Sequence, residues 1–354
     1  MSQVRRTQGE RSNTRCRPWQ LIFGLAAVGL AIVASAFVGP ADLSFYGVLS
    51  TLLSKIPFLG VHSTLSANGA SIVWQIRMPR IVLGGLVGAM LAVAGATYQG
   101  VFQNPLADPY LLGVAAGAGL GATVAVEFVK NSSSWPVSPV PAAAFCGGVL
   151  AAGFTFVLGR SGGRYRAGAT LVLAGVAVAA FFTAIQTYAQ QRETQTLQQT
   201  YSWILGGLST ASWQQVQIVV PYIALSCLVL VMYRRILDVM SVGDEEADSL
   251  GIRAQRVRTV TVLFATLGTA AAVSMSGLIG FVGIIIPHTL RLIAGSSYRR
   301  ILPLSLLYGA AFLILADLVA RTIASPAEIP LGVITAFFGA PFFLVVLRQS
   351  QRSS

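Results

Sequence analysis

The feature that most constrains this chain is a recurrence of apolar stretches long enough to cross a membrane. An α-helix needs about 20 mostly apolar residues to span roughly 30 Å of hydrocarbon. Ten such stretches run over 19–38, 76–101, 110–129, 140–159, 168–190, 213–233, 258–275, 278–294, 302–323 and 331–348. Inside hydrocarbon the backbone has no water to bond, so helices satisfy it within each segment. The predicted fold is therefore all-α and polytopic, with about ten transmembrane helices. A polar arm (1–18) would precede a ten-helix membrane domain (19–348), and a short tail (349–354) would follow it. Composition agrees: 55% of the 354 residues are hydrophobic and only 10% are charged. A soluble domain carries about a quarter charged residues to cover its surface. A soluble enzyme, a disordered chain and a small disulfide scaffold are all excluded.

The first stretch follows Arg5, Arg6, Arg11, Arg15 and Arg17, and Ala34-Ser35-Ala36 has the small-x-small form of a leader cleavage site. Its length favours a retained first helix over a leader. With the N-terminus inside, 18 of the 24 basic residues fall in inner segments. That bias predicts an N-in, C-in topology in a cytoplasmic membrane. The net charge of +12 is thus read as topology rather than as affinity for nucleic acid. Six bases fall outside: Lys55, Arg77, Arg80, Lys130, Arg192 and Arg321. Small residues spaced four apart, Gly84/Gly88 and Gly113/Gly117/Gly121, suit close helix packing.

Some chemistry is missing. A phosphate-binding Walker loop needs Lys followed by Ser or Thr. The two lysines, Lys55 and Lys130, are followed by Ile56 and Asn131, so the chain carries no such loop. Acids inside the apolar stretches are limited to Asp317 and Glu127, which disfavours an ion-gradient carrier built on buried carboxylates. Energy is expected from a partner. Cys16, Cys146 and Cys227 lie far apart, and His62 and His288 are single. No metal site is indicated.

The most charged stretch is 238–258, which holds five of the twelve acids. Gly243 and Gly251 bracket a segment opened by Asp244, Glu245 and Glu246, where a helix N-terminus favours acids. Ala247 and Leu250 are spaced to share one small apolar face. A short helix of this kind suits docking by a soluble partner.

Here the chain resembles a known family. Gly243-Asp-Glu-Glu-Ala-Asp-Ser-Leu-Gly251 looks like the coupling loop of the permeases of iron-siderophore, haem and cobalamin ABC importers, the FecCD family. Arg77-Met-Pro-Arg80, Gln103-Asn-Pro-Leu-Ala-Asp-Pro109 and Ser276-Gly-Leu-Ile-Gly-Phe-Val-Gly283 resemble its other motifs, as do Ile286-Pro-His-Thr-Leu-Arg291, Ala316-Asp-Leu-Val-Ala-Arg321 and Glu328-Ile-Pro-Leu-Gly332. The arm and the segment 39–72 carry none of them.

The resemblance implies a ten-helix permease subunit that is not itself an enzyme. It implies a second permease copy, identical or paralogous, two ATPase subunits that bind the ATP and Mg, and a substrate-binding protein. The expected cargo is a ferric siderophore, with cobalamin or haem as the alternative. Arg77, Arg80 and Arg321 would dock acidic residues of the binding protein, with Asp317–Arg321 as a competing internal pair. Gly243, Glu245, Ala247, Leu250 and Gly251 would meet the ATPase. Asn104, Leu106, Gly168 and Ala169 would form the cytoplasmic gate. The glutamine-rich segment 190–199 is read either as a lining of the pathway mouth or as an ordinary loop.

Overall fold

The computed structural model describes residues 17–128, 138–159, 167–192 and 197–352. Most of the N-terminal arm, with Arg5 to Arg15 and Cys16, lies outside the described residues, as do Lys130 and Arg160 to Arg166. Among the described residues every regular element is helical.

Among the described residues seven helices are long and apolar enough to cross a membrane, and three shorter apolar helices join them. They fall one for one on the ten expected stretches. In chain order the helices are α1 (Pro18–Phe37), α2 (Phe45–Leu53), α3 (Ala67–Ser71), α4 (Met78–Val101), α5 (Val114–Phe128), α6 (Pro139–Gly159), α7 (Ala167–Arg192) and α8 (Leu197–Ile204). Then come α9 (Trp213–Met232), α10 (Arg234–Met240), α11 (Asp244–Ser249), α12 (Ala254–Ser276), α13 (Val282–Ala294), α14 (Tyr298–Thr322) and α15 (Leu331–Arg352).

The second stretch begins earlier than expected. α3 passes through a π-helical turn, Ile72–Arg77, directly into α4, making one apolar unit from Ala67 to Val101. α4 is the most enclosed helix. It packs against α9, α12, α13 and α14, and its Leu83, Val87, Met90 and Leu91 lie in the main core.

Small residues permit the closest crossings. A Cβ at Gly88 would strike the backbone of Gly309 on α14, and one at Gly117 the backbone of Gly147 on α6. Gly121 meets Ala143 of α6 in the same way, so the expected close-packing face of α5 includes Gly117 and Gly121. Gly113 differs: its φ of +77° makes it the turn residue before α5.

Hydrophobic burial adds little between helices in lipid, so such crossings rest on dispersion contacts and interhelical hydrogen bonds. Tyr98 Oη, for example, lies 2.6 Å from Thr266 Oγ1 deep in the bundle.

Candidate functional site

Charge in this bundle gathers at two ends. With the N-terminus inside, the outer end holds Arg77, Arg80, Asp317, Arg321 and Glu328. The π-helical turn brings Arg77 beside α4, and Pro79, which has no N–H to donate, follows directly on that turn.

Arg80 Nε donates to both oxygens of Asp317 at 2.9 Å, and its Nη1 donates to Glu328 Oε1 at 2.8 Å. Arg321 Nε lies 3.7 Å from Asp317 Oδ2, one helical turn away. Its Nη2 donates to Ser35 Oγ at 2.6 Å. Arg77 donates to the carbonyls of Ala36 at 3.0 Å and Ala41 at 2.7 Å. A Cβ at Gly39 would crowd the guanidinium groups of both Arg77 and Arg321, so glycine there lets them close.

All three arginines are buried within the subunit, with relative exposures of 3% to 7%. In this arrangement they do not present an open basic surface. For Arg77 the reason is the Ala36 and Ala41 carbonyls, and for Arg80 and Arg321 it is Asp317. A buried carboxylate must be paired, and two of the arginines share it. Sequence spacing shows only the Asp317–Arg321 pair; the stronger Arg80–Asp317 contact joins residues 237 positions apart.

The inner end is built from α10, α11 and the start of α12. The expected block holds two short helices, and α12 starts at Ala254, earlier than expected. Gly243 caps α11, and Gly251, with φ +79°, turns the chain toward α12. Asp244 accepts from Arg258 Nη2 at 2.8 and 2.9 Å, and Asp248 accepts from Ala254 N at 3.3 Å.

Ala247 is fully buried against Met240, Ala254 and Val257. Leu250 is 69% exposed. The shared apolar face expected for these two residues is therefore absent. α11 ends at Ser249, so Leu250 leaves its face and Ala247 serves the subunit's own core. Val242, before the cap of α11, is likewise 71% exposed. Glu245 and Glu246 are exposed, and neither forms an ion pair with another described residue.

The turn after α4 lies next to this block. Asn104 Oδ1 accepts from Leu106 N at 2.9 Å, which fixes a tight side-chain turn. Gly168 and Ala169 lie in the first turn of α7, and their surroundings lie outside the described set.

On the outer side, a cavity of about 580 Å³ opens between α5, α6, α8, α9 and α12. Gln198, Gln199, Trp203, Thr210 and Gln215 contribute to its lining, which carries no charged side chain. Gln190 instead donates to Thr123 Oγ1 at 3.4 Å, and Tyr188 and Tyr201 are exposed on the surface. His288 stands edge-on to Phe342 at 5.7 Å. Among the described residues no three His, Cys, Asp or Glu side chains converge as a metal would require.

A family model described as the FecCD transport family matches residues 27–349. The chain belongs to the FecCD transport family. This is a family of ABC transporter permease subunits, which are not catalytic enzymes. The segment 39–72, which carries none of the motifs, falls within the matched range.

The chain is 41% identical to the cobalamin import system permease protein of Halobacterium salinarum, covering 96% of this chain and 98% of that one. It is 35% identical to the hemin transport system permease protein of Yersinia pestis, over 97% and 99% of the two chains. Among solved structures, a metal-chelate type ABC transporter in an inward-facing conformation superposes with a TM-score of 0.81. The two share 27% identity, over 94% of this chain and all of that one.

Proposed function

We propose that this FecCD permease forms the membrane pathway of an ATP-driven importer for a bulky metal chelate, with a cobalamin-type corrinoid as the first cargo to test. The single observation that carries the reading is the 41% identity to a cobalamin permease across nearly the full length of both chains. The uncharged outer cavity supports it, because glutamines and hydroxyls suit a neutral ligand edged with amides. The acidic edge of haem would leave its charges unpaired there. Ferric siderophore, the cargo expected from sequence, and haem are the other arms of the test.

Two ATPase subunits would bind at the inner block through Leu250, Glu245 and the turns at Gly243 and Gly251. Asn104, Leu106, Gly168 and Ala169 would narrow the inner exit. A second permease copy would pack along the exposed apolar side chains of α7 and α15, including Phe181 and Phe337. A binding protein would dock at the outer end, over Arg77, Arg80 and Arg321. Because these are buried, an incoming carboxylate would have to replace Glu328 on Arg80. The orientation with both ends inside and the cytoplasmic membrane location complete the proposal.

The test is ATP hydrolysis by the complex in liposomes with its binding protein, loaded in turn with cobalamin, haem and several ferric siderophores. Stimulation by cobalamin above the others is expected. Stimulation by a siderophore alone would overturn the cargo assignment.

A further inference from the structure

Gln103 has a backbone φ of +51°, in the left-handed region. It directly follows the last turn of α4, where a left-handed residue commonly closes a helix and glycine is the usual choice. A side chain there costs conformational energy, so something else must hold it. Its own side chain holds it: Gln103 Nε2 donates to the carbonyl of Met240 at 3.0 Å. Met240 is the last residue of α10, in the inner block. The next residues after Gln103 are Asn104, Pro105 and Leu106, the turn with the internal Asn104–Leu106 bond.

A second chain of bonds runs parallel. Asp238 on α10 accepts from Ser297 Oγ at 2.9 Å and from Tyr298 N, so it caps the start of α14. Tyr298 Oη accepts from Arg291 Nη2 at 3.1 Å, and Arg291 donates to Gln99 Oε1. Gln99 Nε2 in turn donates to the carbonyl of Ala107 at 3.4 Å, at the far side of the same turn. Gln99 Nε2 also donates to the carbonyl of Gly283 at 3.0 Å, so the inner block holds the start of the 104–107 turn directly, through Gln103, and its end only through this relay.

We propose that Gln103 is a positioning residue that ties the gate turn to the ATPase-facing block, so that displacement of α10 moves Asn104 and Leu106. The inference rests on the importer function proposed above. It explains why glutamine occupies a position where the backbone alone would favour glycine.

The experiment uses the assembled transporter in liposomes and reads cobalamin taken up per ATP hydrolysed, together with the melting temperature. Gln103→Gly relieves the backbone and removes the tie. Its melting temperature should stay level or rise, while uptake per ATP falls about tenfold. Gln103→Lys keeps a long donor and should restore most of the ratio. Should the glycine variant fail to assemble, Gln103→Glu, which has no side-chain donor toward the carbonyl at neutral pH, should show the same loss. Unchanged uptake per ATP in Gln103→Gly or Gln103→Glu would overturn the tie while leaving the importer function standing. A wild-type complex that hydrolyses ATP and imports no metal chelate removes the importer function, and the tie falls with it.

Discussion

At the outer end of α14, Arg77, Arg80, Arg321 and Asp317 are buried within the subunit, and Glu328 covers Arg80 from the exposed side. At the inner end, α11 spends Asp244 and Asp248 on the subunit and leaves Glu245, Glu246 and Leu250 facing outward. The same 25-residue helix reaches from one region to the other, a distance of about 37 Å at 1.5 Å per residue. Its start is clasped by Asp238 and its far end carries Asp317 and Arg321. The contrast teaches that a charged motif is not by itself a docking surface. In a low-dielectric setting a lone charge is costly, so a buried arginine first meets the needs of its own subunit. An exposed acid on a short helix has no such internal claim and is open to a partner.

The sharpest way to break this contrast is to remove the outer counter-charge. Asp317→Asn leaves Arg80 and Arg321 without their shared carboxylate. A loss of about 3–5 kcal/mol is expected, since breaking a buried pair strands a charge. Thermal unfolding in nanodiscs checks it, and a wild-type melting temperature would show that the cluster is no structural lock.

At the inner end the effect should fall on association and spare stability. Leu250→Asp should weaken ATPase-subunit capture about tenfold or more, as for a central apolar contact. Its melting temperature should match wild type, because the side chain is exposed. Titration of the ATPase subunit against the permease in nanodiscs reads the first quantity. Normal capture would remove Leu250 from the contact.

A smaller change is expected from Glu245→Lys. Charges at the rim of an interface act mainly on encounter, so the association rate should fall a few-fold at low salt and recover at high salt. Stopped-flow mixing at two ionic strengths distinguishes this from a loss that salt leaves untouched.

The smallest effect sharpens the outer end. Glu328 is 37% exposed at its side chain, and its bond to Arg80 competes with any incoming carboxylate. Partly exposed pairs contribute at most about 1 kcal/mol. Glu328→Gln should therefore tighten binding-protein capture by a few-fold at most, as measured by surface binding. Weaker capture would mean that Glu328 takes part in the dock itself.

The residues alone disclose much of this molecule, and the omissions have a common cause. Apolar length is a local property, so all ten membrane stretches can be read directly. The glycine bracket of α11 is equally local, because Gly243 and Gly251 act on their immediate neighbours. What escaped depends on distance in sequence. Arg80 and Asp317 are 237 positions apart, and their pairing turned an expected open dock into a closed cluster. Ala247 has helix-compatible spacing with Leu250, yet its burial follows from α10 and α12 folding over it. The exception is local: the second membrane unit starts at Ala67, where Ser66, Asn68 and Ser71 interrupt the apolar run. Gln103 carried one signal that sequence could have offered: a long amide side chain just after a helix, in front of Asn-Pro.

Cobalamin uptake into liposomes holding the assembled complex and the binding protein decides whether this permease moves a metal chelate inward on energy supplied by bound ATPase subunits. Accumulation should require ATP and persist when the proton and sodium gradients are collapsed. Uptake by the permease without ATPase subunits, driven by an ion gradient, would contradict it.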